Sequence, residues 1–241
     1  MVLKKFLSIF FLITNFLFAF ELRPTMFEQR IDGKGGYREF TLKNSGKTTL
    51  RYKLTILPGL GKYKDMSKWT EISPKVLVIK PGKSGKIKVF AQAPEGTSAG
   101  DYSFVVSFNM VDAPKLPHET SKIEPTAKVN FDIHVEFLGH VGDEKPKITL
   151  TQPAITVNND KSITVKGKIK NSTETRGVYC AYDVLGPNGI ISTQEIRVPK
   201  NSSKDVTITI TDPKFKKGDI KAVQVRDGKD FKNVLDEQRV K

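Results

Sequence analysis

The three histidines have the most versatile side chains in this sequence, because imidazole can bind a metal ion or transfer a proton near neutral pH. His118, His134 and His140 form no pair at a recognised metal-ligand spacing. His134 and Glu136 would share one face of an extended chain, but two ligands do not make a metal site. The sequence therefore predicts no metal site and no cofactor.

Nucleophilic catalysis has no support in the sequence either. The 241 residues contain no Gly-x-Ser-x-Gly motif, no Cys–His pair and no phosphate-binding glycine loop. Cys180 is the only cysteine, so it forms no intramolecular disulfide, and its strand-like surroundings predict a buried apolar residue. We predict a protein that is not an enzyme. A hydrolytic site assembled from several strands is the alternative that the sequence leaves open.

Residues 128–137 have the most regular pattern in the chain. Five apolar residues alternate with five polar ones, which places the apolar side chains on one face of a β-strand. Two interpretations stay open: this face packs into its own domain, or part of it contacts a partner. The five apolar candidates for partner binding are Val129, Phe131, Ile133, Val135 and Phe137.

The first 19 residues predict an export signal. Lys4 and Lys5 precede an apolar run over residues 6–18, and Ala19 supplies a small residue for cleavage. The run is shorter than the roughly 20 residues that span a bilayer. An uncleaved membrane anchor is the alternative, because Phe18 and Phe20 flank the cleavage position poorly. The pattern predicts a periplasmic or otherwise exported protein with a signal peptide over residues 1–19.

The remaining chain predicts two domains, residues 20–142 and 143–241. The first holds seven or eight short strands, with a long proline-containing loop over 112–125, and its last strand stops before Gly139 and Gly142. Seven strand candidates follow, at 148–151, 155–157, 162–170, 177–185, 190–198, 204–210 and 219–226. We predict an all-β protein of two consecutive immunoglobulin-like antiparallel β-sandwich domains. Residues 227–241 are predicted to form a charged, mobile tail.

The formal net charge of the chain is +14. The excess is lysine spread along strands and turns, which is typical of solvent-facing surfaces. In an exported protein such surfaces favour weak contact with an anionic membrane surface or glycan, or with an acidic protein, and not with nucleic acid. No small-molecule substrate is predicted. These lysines are Lys80, Lys83, Lys86, Lys88, Lys161, Lys166, Lys168 and Lys170.

The N-terminal domain resembles the periplasmic chaperones of pilus and fimbrial assembly. A first strand over residues 23–31, a proline-glycine turn over 79–82 and the alternating strand over 128–137 are among the features that carry the resemblance. The others are residues 40–44 (Phe-Thr-Leu-Lys-Asn), 69–74 (Trp-Thr-Glu-Ile-Ser-Pro) and 102–104 (Tyr-Ser-Phe).

The resemblance implies a chaperone that binds an extracytoplasmic protein subunit by lending it the last strand of the first domain. It also implies a basic pair that anchors the carboxyl terminus of the subunit, for which Arg30 or Arg23 would supply one member. Glu136 stands about where the lysine of the pair is expected. The alternative function is an exported binding or scaffold module that engages cell-envelope glycan or surface proteins.

Overall fold

The structure, a computed structural model, describes residues 20–111 and 131–240. It divides into two compact units. The first runs to Gly96 and resumes over Tyr102–Gly139, and the second holds Thr97–Asp101 and the chain from His140 onward. Among the described residues no helix is long and apolar enough to cross a membrane.

The first unit is a β-sandwich of two sheets. One sheet has the strand order β1-β3-β8-β6, and the other has the order β2-β10-β9-β4-β7, with β5 added beside β9. A single-turn 3-10 helix, Ser67–Trp69, precedes β6. The strands are β1 (Glu21–Arg23), β2 (Gln29–Arg30), β3 (Gly36–Lys43), β4 (Leu50–Pro58), β5 (Lys64–Asp65), β6 (Thr70–Ser73), β7 (Val76–Ile79), β8 (Ser84–Ala91), β9 (Gly100–Met110) and β10 (Asp132–Val141).

Aromatic side chains from both sheets form the core of the first unit. Phe40 on β3 stacks on Phe137 on β10, with ring centroids 4.7 Å apart. Phe104 on β9 lies 5.6 Å from Phe137. All three are at most 1% exposed. Burial of this much apolar area is the main stabilising term in a domain without a disulfide.

The second unit is a β-sandwich of two four-stranded sheets. One has the order β11-β13-β12, with β16 on the other side of β13, and the other has the order β15-β14-β17-β18. The strands are β11 (Ile148–Leu150), β12 (Ala154–Val157), β13 (Ile163–Asn171), β14 (Val178–Gly186), β15 (Gly189–Val198), β16 (Ser202–Ile210), β17 (Ala222–Asp227) and β18 (Val234–Arg239), with a 3-10 helix at Lys217–Asp219.

The core of the second unit is built from alternating residues of both sheets. Val165 on β13, Tyr182 on β14 and Val225 on β17 are each fully buried there. Cys180 is also fully buried, which confirms the prediction for this residue. The predicted all-β architecture of two sandwiches is therefore confirmed, and all seven strand candidates after residue 147 match observed strands.

Three predicted element boundaries are wrong, and two concern the first unit. The expected continuous first strand splits into β1, which pairs with β3, and β2, which lies beside β10. Pro24 has no N–H to donate between them, and Phe27 turns fully into the core as the chain changes sheet. The last strand continues through Gly139 to Val141, because the missing side chain there lets β2 approach closely. A Cβ atom on Gly139 would lie 2.8 Å from Ile31 Cγ2.

The third wrong prediction is the mobile tail over residues 227–241, because part of it forms β18 and pairs with β17. Leu235 and Val240 pack against the core of the second unit, which gives this segment an apolar anchor. The Leu150 N–H donates a hydrogen bond of 2.6 Å to the Asp236 carboxylate. Alternate charged residues occupy the outer face of β18, so a high charge content is compatible with a strand at the sheet edge.

Candidate functional site

The predicted apolar side chains of β10, and of Phe131 directly before it, become more exposed toward the N-terminal end of the strand. Phe137 is 1% exposed, Ile133 and Val135 are half-buried, and Phe131 is 47% exposed. Val129 lies outside the described residues. The same face of one strand is thus core at one end and solvent-facing at the other.

Phe137 is buried in the core of the first unit. Its ring lies between Phe40 and Phe104 of the same unit, so it contacts its own domain on both sides. Of the described candidates in this row, the ones that stay at least partly exposed are Phe131, Ile133 and Val135. We call these three residues the apolar row.

The first half of β10 also has an unpaired edge among the described residues. On one side β10 pairs with β9, and the Met110 N–H donates to the Phe131 carbonyl oxygen at 3.0 Å. On the other side the neighbour is β2, which is two residues long. The Gln29 carbonyl oxygen of β2 comes within 3.2 Å of the Cβ position of Gly139, which places β2 beside the second half of β10. We call the uncovered side of Asp132 to Glu136 the open edge.

The hydrogen bond from Met110 fixes which backbone groups point outward at the open edge. In a strand the N–H and C=O of one residue point to the same side, and successive residues point to opposite sides. Because the Phe131 carbonyl points to β9, the backbone groups of Ile133 and Val135 also point to β9. Those of Asp132, His134 and Glu136 point to the open edge, where a further strand could pair with them.

The polar face of β10 is acidic and locally hydrogen-bonded. The Ser107 hydroxyl donates to Asp132 Oδ1 at 2.7 Å, and this bond is the main reason that the pKa of Asp132 is lowered. His134 Nε2 lies 3.3 Å from Asp132 Oδ2. The Leu60 N–H donates to Glu136 Oε1 at 3.0 Å. Ser107 and Leu60 were not candidates in the sequence, because only the register of the sheet and the course of the loop bring them to β10.

The two arginines proposed from the resemblance lie in different sheets. Arg30 is on β2, next to β10, whereas Arg23 is on β1 in the opposite sheet. The Arg30 guanidinium donates two hydrogen bonds, of 2.8 and 2.7 Å, to the Asp32 carboxylate. Arg23 pairs with Glu21 at 3.0 Å. The sequence did not predict this pairing with Asp32, although the position of Asp32 two residues after Arg30 was an available signal of it.

The histidines and carboxylates do not form a metal centre in the part of the chain that is described. Residues 20–111 and 131–240 contain no group of three or more His, Cys, Asp or Glu side chains arranged to hold a metal ion. His118 lies outside these residues. The chemistry that the geometry of β10 offers is backbone pairing along the open edge together with burial of the apolar row.

Comparison with known proteins gives similarities of fold. No family model and no curated protein matches the sequence. The CupB2 chaperone of Pseudomonas aeruginosa is 10% identical, with a TM-score of 0.41 over 91% of this chain and 99% of that chain. The Escherichia coli chaperone DraB is 10% identical, with a TM-score of 0.44 over 92% of this chain and 96% of that one.

A third solved structure contains two proteins. It is the SafB chaperone of Salmonella enterica in complex with the SafA pilin, which is matched at 13% identity and a TM-score of 0.42, over 92% of this chain and 96% of that chain. All three solved structures contain a protein named as a chaperone. At such identities the likeness concerns the fold alone.

Proposed function

We propose that this protein is a non-enzymatic, chaperone-like protein of the periplasm that binds an extracytoplasmic protein subunit of the pilus or fimbria type by β-strand addition. The observation that carries the proposal is the exposure gradient along β10 beside the open edge. Phe131 is 47% exposed although it continues the row that Phe137 ends in the core.

An added strand would stabilise this surface in two ways. The outward N–H and C=O groups of Asp132, His134 and Glu136 would gain backbone hydrogen bonds, as at any sheet edge that accepts a strand. The apolar row would lose its contact with water, at about 25 cal/mol for each Å² of apolar surface buried. Val129 lies outside the described residues, and its part in partner binding stays a prediction from the sequence.

The proposed location follows from the first 19 residues, whose charged start and apolar run are typical of a signal peptide. These residues lie outside the described part of the chain. Arg30 stands on the strand beside β10 and is the better placed of the two arginines to approach a partner. Arg23 would reach a partner only around the edge of the other sheet.

The test is site-specific crosslinking in the native envelope. A photoreactive residue at position 133 is expected to capture one subunit-like protein, and a Phe131→Asp, Ile133→Asp double variant is expected to lose that protein from a co-purification. The matched control is Val76→Asp, Val78→Asp, because both valines are about half exposed on the edge strand β7. Loss of the partner in both double variants, or in neither, would contradict binding at the apolar row.

A second candidate function rests on the outer face of the second unit. Lys166, Lys168 and Lys170 are exposed at alternate positions of β13, so their side chains line one face of the sheet. Such a row favours an anionic glycan or membrane surface, although Lys168 already lies 3.6 Å from Asp205. Binding to anionic vesicles that disappears in a variant with all three lysines changed to glutamine would support this function.

A further inference from the structure

The charges around the open edge identify the kind of strand that fits it. We infer that the partner segment carries basic side chains opposite Asp132 and Glu136, and that a free carboxylate does not anchor it. This inference rests on the proposed strand addition and specifies its partner. It describes an extended segment in which apolar residues alternate with polar ones and two of the polar positions are Lys or Arg.

The first reason is the polarity of the face that the added strand would share. Side chains directly opposite each other on paired strands lie about 4.5–5.5 Å apart at Cβ. Asp132 and Glu136 lie on one face of β10, two strand periods apart, on either side of His134. A lysine opposite each carboxylate would gain a favourable pair, and a glutamate there would be repelled.

The second reason is that the arginine on the neighbouring strand β2, Arg30, is already paired with an anion. Both hydrogen bonds from the Arg30 guanidinium to the Asp32 carboxylate are shorter than 3 Å. The Arg30 side chain is 50% exposed, so the pair is accessible but formally neutral. A terminal carboxylate of a partner would have to compete with Asp32 for the same donors.

The third reason is that the same carboxylates disfavour pairing between two copies of this chain. In an antiparallel pairing of two open edges centred on His134, Asp132 of one copy lies opposite Glu136 of the other. Both cross-strand pairs at these positions then bring like charges together, which destabilises the pairing. The open edge is thus protected against self-association and remains available to a basic strand.

The experiment compares two labelled peptides by fluorescence anisotropy with the full-length mature chain. Both have alternating apolar residues, and they carry either two lysines or two glutamates spaced four residues apart. The full sequence has a formal charge of +14, and the chain stays strongly basic without Lys4 and Lys5, so its net charge favours the glutamate peptide at long range and a preference for lysine must arise locally. We expect the lysine peptide to bind about 3- to 20-fold more tightly at low salt, and the preference to shrink in 0.5 M salt because exposed pairs are screened.

The variant that tests the inference is Asp132→Asn, Glu136→Gln. Both substitutions keep an oxygen that can accept the hydrogen bonds from Ser107 and Leu60, and circular dichroism verifies the fold. We expect this variant to lose the preference for lysine and to self-associate in sedimentation at high concentration. The control with the same charge change is Glu71→Gln, Asp205→Asn, on exposed positions of β6 and β16, which should behave as wild type.

Each result has one meaning. Equal binding of both peptides, or a preference that survives in the variant, would overturn the inference and leave strand addition standing. Binding of neither peptide would overturn the inference together with the proposed function. A lysine preference that both double variants lose would show a general effect of net charge and would also overturn the inference.

Discussion

Two phenylalanines on one strand face should differ sharply in what their truncation costs. Phe137 is 1% exposed and packs against two aromatic rings, so Phe137→Ala removes a buried ring and leaves a cavity. Such changes cost about 3–5 kcal/mol of unfolding free energy. Phe131 is 47% exposed, and Phe131→Ala should cost less than about 1 kcal/mol.

Urea unfolding followed by tryptophan fluorescence measures this difference in stability for the first unit, which contains β10. Trp69 is the only tryptophan of the chain, and its ring lies 5.5 Å from that of Tyr102 on β9. With a denaturant slope of about 2 kcal/mol per molar urea, Phe137→Ala should lower the midpoint by about 1.5–2.5 M. Phe131→Ala should lower it by less than about 0.5 M.

Equal shifts for the two variants would refute the reasoning. They would mean that the first half of β10 is packed as firmly as the second half, which leaves no apolar row for a partner. A large shift for Phe131→Ala alone would have the same consequence. The slope itself should stay constant in both variants, because neither change alters how much surface unfolding exposes.

Three further predictions concern stability. Asp183 is fully buried and receives two hydrogen bonds from Arg226, at 2.6 and 2.9 Å. Asp183→Asn should therefore lower the unfolding free energy by about 3–5 kcal/mol. Urea unfolding followed by circular dichroism measures this change, and an unchanged midpoint would contradict the prediction. Hydrogen bonds, led by the one from the Glu174 N–H, lower the pKa of Glu144 from 4.5 to about 2. The contribution of Glu144 to the unfolding free energy should therefore be complete above pH 4.5 and disappear as the pH falls toward 2. Glu144→Gln should remove this part of the loss of stability in acid, and identical stability profiles of variant and wild type against pH would contradict the prediction. Gly139→Ala should cost about 1–3 kcal/mol through its clash with Ile31, and a neutral effect would show that β2 can move away.

Alternation of side chains was sufficient to predict the sandwiches from sequence. A period of two is visible wherever one face of a strand is buried, as in β13 and β16, and these were predicted to within two residues. The same pattern could not locate the point at which β10 leaves the core. Phe131 and Phe137 are chemically identical, and their different exposure depends on how far the facing sheet and β2 extend.

Elements without a strong alternation were predicted less well. The sequence did not predict β18, because only Leu235 and Val240 pack against the core and the charged residues between them are typical of a solvent-exposed segment. The pairing of Arg30 with Asp32 and the bond from Leu60 to Glu136 join residues through a turn and across 76 positions. Such contacts are set by turn conformation and strand register, which residue types alone do not determine.

Amide hydrogen exchange along β10, measured by NMR on the mature chain, tests the central claim most directly. If the edge is open, the amides of Asp132 and His134 exchange quickly, whereas those of Ile133 and Val135, which point to β9, are protected. Addition of a strand-forming partner should then protect Asp132 and His134. Uniform protection of all four amides in the free protein would show that another strand already covers this edge and would contradict the account.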